Sequence, residues 1–141
     1  MCIRDSFAAM HFWLPKIYGR MYDKVVATVA WGIIMIGFLM LYISMKVVGM
    51  MGMPRRYYDY IPEFTGLNQL ATVGSWILAI GLVLMFVNII RGLFTGPPVA
   101  ANPWGGASLE WQIPSPPPTE NFDEDPVVTH GPYDFRKAGI L

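Results

Sequence analysis

VVATVAWGIIMIGFLMLYISM, residues Val25–Met45, is 21 residues long and carries no charge. At about 1.5 Å of rise per residue, a helix of that length reaches about 31 Å, one hydrocarbon core of a bilayer. A helix on the surface of a soluble protein would keep a polar stripe for water, and none is readable here. The stretch therefore predicts a transmembrane helix over 25–45. A second uncharged stretch, 64–90, has its most apolar part at Leu70–Ile90 and predicts a second span. Gly32 and Gly37 in the first, with Gly74, Ser75, Ala79 and Gly81 in the second, offer small surfaces where helices approach closely. They predict a bundle larger than these two helices. The fold class that follows is an all-α membrane protein, its two spans antiparallel and joined by a loop of roughly 10 to 20 residues.

Composition agrees with a membrane setting. Of 141 residues 54% are apolar and only 14% charged, which is too oily for an ordinary soluble domain. Ten basic and ten acidic residues cancel, leaving no net field to draw in nucleic acid. The single cysteine, Cys2, excludes an internal disulfide and a cysteine-rich metal cage.

Ahead of the first span, Phe7–Trp13 is apolar but stops at Leu14-Pro15, too short to cross a bilayer. It reads as the last turns of a truncated helix, followed by a loop to residue 24. Residues 1–6, Met1-Cys2-Ile3-Arg4-Asp5-Ser6, fit nothing around them. They are compatible with the codons of a sequencing adapter, read as a scar and set aside from the fold. A signal peptide is the rival, but His11 interrupts the apolar run and Lys16 follows it with no small-residue cleavage site.

From 91 to 141 the composition changes. Gly96-Pro97-Pro98, Asn102-Pro103 and Pro114-Ser115-Pro116-Pro117-Pro118 favour turns and extended conformation over helix. This predicts an irregular Pro-rich tail. Its acids Glu120, Asp123, Glu124 and Asp125 read as a solvated run, while Trp104 and Trp111 are placed to pin the earlier part to protein or interface.

The connecting segment 46–63 holds the conspicuous constellation: Gly49-Met50-Met51-Gly52-Met53-Pro54-Arg55-Arg56-Tyr57-Tyr58-Asp59-Tyr60. Two adjacent guanidiniums, each a rigid fork of donors, sit at the membrane boundary beside tyrosine rings and hydroxyls. The pattern suits carboxylate or phosphate groups at the bilayer edge. An interfacial pair reaching toward lipid headgroups is the competing reading of the same residues.

Three separated stretches then narrow the choice: His11-Phe12-Trp13-Leu14-Pro15-Lys16; Gly52-Met53-Pro54-Arg55-Arg56-Tyr57; and Asn102-Pro103-Trp104 with Leu109-Glu110-Trp111 and Pro114-Ser115-Pro116-Pro117-Pro118. In order and spacing they resemble the C-terminal part of the large catalytic subunit of haem-copper terminal oxidases. The resemblance implies that 7–24 closes the tenth transmembrane helix and its loop, that 25–45 and 64–90 are the eleventh and twelfth, and that 46–63 lies on the outer side. It makes 91–141 a cytoplasmic tail, in a bacterial inner membrane. It implies two haems and copper in the full subunit, with Arg55 and Arg56 holding haem propionates, Tyr57 and Asp59 near them, and no catalytic or metal-ligating residue in this chain. The metal ligands belong to earlier helices. Implied partners are the N-terminal part of the same subunit, oxidase subunits II and III, cytochrome c or quinol as electron donor, and membrane lipid, with no nucleic acid. The implied activity is oxygen reduction coupled to proton pumping in aerobic respiration, which this chain alone does not perform.

The sequence also departs from the family. Ser44-Met45-Lys46-Val47-Val48 stands where many members carry a Pro-Gln-His-like stretch, which leaves the subgroup open. A quinol oxidase subunit is the near alternative; a two-span adaptor using its Pro-rich tail for polyproline recognition is the remote one. His11 sits in a helix-end motif and His130 stands alone in the tail, so neither has a ligand set at metal-binding spacing. Orientation rests on Lys16, Arg20, Lys24 and Arg91 at the two ends against Lys46, Arg55 and Arg56 in the connection. If bound anions neutralise Arg55 and Arg56, both ends face the cytoplasm.

Overall fold

The computed structural model describes residues 3–56, 58–122, 125–128 and 131–135. They form helices α1 (Ile3–Tyr18), α2 (Lys24–Met50) and α3 (Thr65–Thr95), with 3₁₀ turns at Pro62–Phe64 and Leu109–Trp111. Among the described residues there is no strand, only an isolated antiparallel bridge between Arg20 and Pro98. The all-α class expected from the apolar stretches is therefore the observed one. The chain divides into two compact units, Asp23–Asn88 and Met1–Tyr22 with Ile89–Leu141.

In the first unit α2 begins where Asp23 caps it, its carboxylate accepting the N–H groups of Val25 (2.8 Å) and Val26 (3.1 Å). The helix pairs with α3 in antiparallel register through glycine. Gly37 lies against Gly74 and Leu78, Gly74 against Met40 and Leu41, and Gly81 against Ile33 and Ile34. A Cβ on Gly37 would stand 2.8 Å from the Leu78 Cα, so the two backbones themselves are in contact. Gly32, by contrast, has nothing within 4 Å of its Cβ position, and Ala79 is exposed. Only part of the small-residue set makes this helix contact.

Large apolar side chains cover the outer faces: Val25, Trp31 and Ile36 on α2, Trp76, Ile80 and Val83 on α3, all exposed. Only 11% of the most apolar window of α2 and 28% of that of α3 is buried within the chain, too little for core helices of a soluble protein. Both helices are long and apolar enough to cross a membrane.

The helices outrun the uncharged stretches. α2 continues through Lys46 to Met50 because a lysine near a helix end carries its ammonium outward while its stem stays apolar. α3 continues through Arg91 to Thr95 and stops at Gly96-Pro97-Pro98, where proline ends the supply of donors. α1 likewise passes through Pro15, where the apolar run ends, and reaches Tyr18. Proline removes only one donor there. Gly19, at φ +69°, closes the helix with its N–H on the Pro15 carbonyl at 2.9 Å. Ile3–Ser6 form the first turn of α1, so the structure places them in the helix from which the sequence reading set them aside. Met1 and Cys2 lie outside the described residues.

In the second unit the tail folds against α1. The Trp104 indole donates to the Phe12 carbonyl (2.9 Å) and stacks on the Phe12 ring, while Trp111, 3% exposed, meets the same ring edge-on at 5.0 Å. Gly106 is required here because a Cβ would strike the Trp111 indole. Arg20 donates to the Phe94 carbonyl (2.9 Å), satisfying one orphan acceptor at the end of α3. Glu120 and Asp125 are exposed, whereas Asp123 and Glu124 lie outside the described residues.

Candidate functional site

The position of the arginine pair follows from how α2 ends. The Met53 N–H bonds the Val48 carbonyl (3.2 Å) and the Gly52 N–H bonds the Gly49 carbonyl (3.2 Å), the paired bonds of a Schellman motif. Gly52, at φ +94°, takes the left-handed position, where a side chain would be strained. Val48 is buried and Met53 half-buried, and the Asn68 amide on α3 donates to the Met53 thioether at 3.6 Å. Pro54 then prevents a return to helix and delivers Arg55 and Arg56 immediately after the turn. Arg56 has φ +61°, a conformation that costs a side-chain-bearing residue about 1–2 kcal/mol.

Both arginines line one concavity of 790 Å³, together with Tyr42, Met45, Lys46, Gly49, Met53 and Pro54. That volume lies within the roughly 300–1,000 Å³ of cofactor and small-molecule sites. The helix-side wall comes from the last turns of α2, where Tyr42 and Lys46 stand four residues apart, as do Met45 and Gly49. Arg55, Arg56 and Lys46 are exposed, and among the described residues none has a hydrogen bond or ion pair. Asp59 accepts the N–H of its neighbour Tyr60 at 2.8 Å and does not pair with either guanidinium. Tyr57 lies outside the described residues. Three cationic residues thus line one concavity, without a counter-ion among the described residues.

Sequence reasoning singled out Arg55 and Arg56 but placed Lys46 in the loop and left Tyr42 unremarked. The four-residue spacing was the available signal, readable only once the helix is known to run to Met50.

His11 serves helix and aromatic packing: its Nδ1 contacts the Phe7 carbonyl at 2.9 Å and its ring meets Tyr22 edge-on at 5.0 Å. His130 lies outside the described residues. Among the described residues no group of three or more His, Cys, Asp or Glu is placed to hold a metal.

Lys16, just past the apolar run, is 4% exposed and was not recognised from sequence as a packing residue. Its ammonium donates to the Ala101 carbonyl (2.8 Å) and the Ile113 carbonyl and lies 5.7 Å from the centre of the Trp111 ring. Burial pulls that ammonium below the usual lysine range, with the Glu110 carboxylate opposing the pull.

A family model described as Cytochrome C and Quinol oxidase polypeptide I matches residues 5–77. The chain is similar to cytochrome c oxidase subunit 1 of Synechocystis sp., 40% identical over 129 residues that cover 92% of this chain and 23% of that protein. It is 38% identical to cytochrome c oxidase subunit 1 of Bacillus subtilis, over 86% of this chain and 20% of the relative. It is also 39% identical to a haem-copper oxidase subunit I+III of Aeropyrum pernix, over 86% of this chain and 15% of the relative. The chain spans less than a quarter of the length of these relatives. With a matching model over more than half its length, two membrane-length helices and this run of relatives, the chain belongs to the cytochrome c and quinol oxidase polypeptide I family.

Proposed function

We propose that this chain is the C-terminal part of the catalytic subunit of a proton-pumping cytochrome c oxidase, in which Arg55 and Arg56 hold haem propionates at the outer edge of the membrane. The observation that carries the reading is the pair of adjacent guanidiniums, without a counter-ion among the described residues, on a concavity of cofactor size at the end of a spanning helix. The donor set fits the group. A carboxylate at the bilayer edge needs a charge-assisted donor, and arginine supplies two parallel N–H groups and keeps its proton there.

When bound, haem supplies electron transfer and oxygen reduction; this chain's residues supply binding and charge. A guanidinium beside a propionate lowers the affinity of that carboxylate for protons and favours the reduced haem. The copper ligands would lie on earlier helices of the full subunit.

The exposed apolar faces of α2 and α3 are the surfaces that earlier spans of the same subunit, and lipid, would cover. Expressed alone, the chain neither binds haem nor consumes oxygen. The names of the Synechocystis and Bacillus relatives support cytochrome c as donor, and the I+III name of the Aeropyrum relative supports subunit III as a neighbour, alongside subunit II. With Arg55 and Arg56 neutralised by bound propionates, the remaining loop charges support a cytoplasmic C-terminus, and the Synechocystis and Bacillus relatives support a bacterial inner membrane.

The test is redox titration of the complete, haem-loaded subunit carrying Arg55→Gln or Arg56→Gln. Lowered haem midpoint potentials are expected. Potentials and proton coupling unchanged in both variants would remove the reading in favour of lipid-headgroup arginines.

A further inference from the structure

We propose that Lys46 is a third cation of the Arg55–Arg56 site and holds a further oxyanion, a carboxylate or a phosphate, in the same concavity. The inference rests on the propionate reading of the arginine pair and extends it to a residue on a different element.

Three observations converge. Lys46 lines the 790 Å³ concavity from the α2 side while the arginines line it from the loop. Its ammonium has no hydrogen bond or ion pair among the described residues. It also stands four residues before the end of α2, at Met50, where a four-carbon stem carries the charge to the polar edge of the bilayer. The Schellman turn matters as well: by folding residues 52–56 back beside the last turns of α2, it sets a helix residue and two loop residues around one space.

Charge counting then points to an occupant. Each haem carries two propionates, so a pair of haems presents more carboxylates than two guanidiniums neutralise. A third cation on the same wall supplies part of the difference. Lysine differs from its arginine neighbours in being a compact point charge with three freely rotating donors, which suits a single oxygen rather than a bidentate fork. Tyr42, four residues earlier on α2, lines the same wall. A phospholipid phosphate offers the same oxygen chemistry at the same depth, and the experiment separates the two sources.

Lys46→Met and Lys46→Arg are made in the complete subunit assembled with its haems, beside Arg55→Gln and Arg56→Gln. Haem midpoint potentials and phosphate from co-purified phospholipid per haem are measured on each. If a propionate is the occupant, Lys46→Met shifts the reduction equilibrium of one haem toward the oxidised form by about three- to tenfold, the upper end about 59 mV for one electron. Lys46→Arg keeps most of the original value, and bound phosphate is unchanged. Loss of one phospholipid per subunit with potentials unmoved identifies a lipid phosphate as the oxyanion instead. Loss of haem in Lys46→Met that Lys46→Arg restores also supports the assignment. Potentials, haem content and phosphate all unchanged in Lys46→Met overturn it. If the arginine variants shift in that same series, only the lysine inference falls; if they too are silent, the propionate reading falls with it.

Discussion

The Asn88 side chain clasps the backbone of Asp23 from both sides, its amide donating to the Asp23 carbonyl at 2.9 Å and its oxygen accepting the Asp23 N–H at 3.3 Å. Asn88 is 4% exposed, and Asp23 is the cap of α2, so one polar residue on α3 fixes the start of the neighbouring helix. Replacing Asn88 by Leu leaves the Asp23 N–H without its partner. The expected cost is about 1–3 kcal/mol, seen as a lowered melting temperature of the assembled subunit. An unchanged melting temperature would mean that water or a neighbouring span takes over the bonds.

Gly37 and Gly32 sit five residues apart on α2 and should respond oppositely to alanine. At Gly37 the added methyl meets Leu78 and Gly74 backbone, which cannot move aside as a flexible side chain does, so Gly37→Ala should destabilise by about 1–3 kcal/mol. At Gly32 nothing stands within 4 Å, and Gly32→Ala should be neutral or stabilising by up to about 1 kcal/mol. Thermal unfolding of the two variants side by side decides it. Equal effects would contradict the glycine contact.

Arg55→Lys and Arg56→Lys test geometry rather than charge. Each keeps a cation but exchanges a planar fork for a point charge. If bidentate pairing with a carboxylate is what matters, the lysine variants should lower the haem midpoint potential less than the glutamine variants and still fall short of the parent. Lysine variants indistinguishable from the parent would reduce the role of the pair to charge alone.

Lys16→Met should loosen the tail. The exchange removes the donor from the Ala101 and Ile113 carbonyls while keeping a flexible apolar stem, and each charged hydrogen bond is worth about 1.5–3 kcal/mol. Faster proteolytic cleavage between residues 99 and 122 is expected, with Trp111 fluorescence shifting to the red as its ring reaches water. Unchanged cleavage would mean that the Phe12, Trp104 and Trp111 rings suffice to hold the tail.

The sequence by itself determined the class. Two uncharged stretches of bilayer length leave helix as the backbone's way to satisfy itself in lipid, so the two spans were legible from local chemistry, while their C-terminal ends were read short, at 45 and 90 where the helices run to Met50 and Thr95. Arg55 and Arg56 were legible for the same reason, adjacent guanidiniums beside a helix-stopping Gly-Met-Pro. Tertiary structure decided which small residues touch: Gly37 and Gly32 look alike in sequence, and only the rotation of α2 against α3 distinguishes them. It decided that Lys46 belongs to a helix wall facing the arginines, because the Schellman turn reverses the chain there. It also decided that Lys16 is buried, since its acceptors at Ala101 and Ile113 lie far along the chain and no local pattern encodes a partner that distant. Hydropathy is additive along a chain and can be read residue by residue; packing depends on which faces meet, and that is settled only when the whole set of contacts forms together.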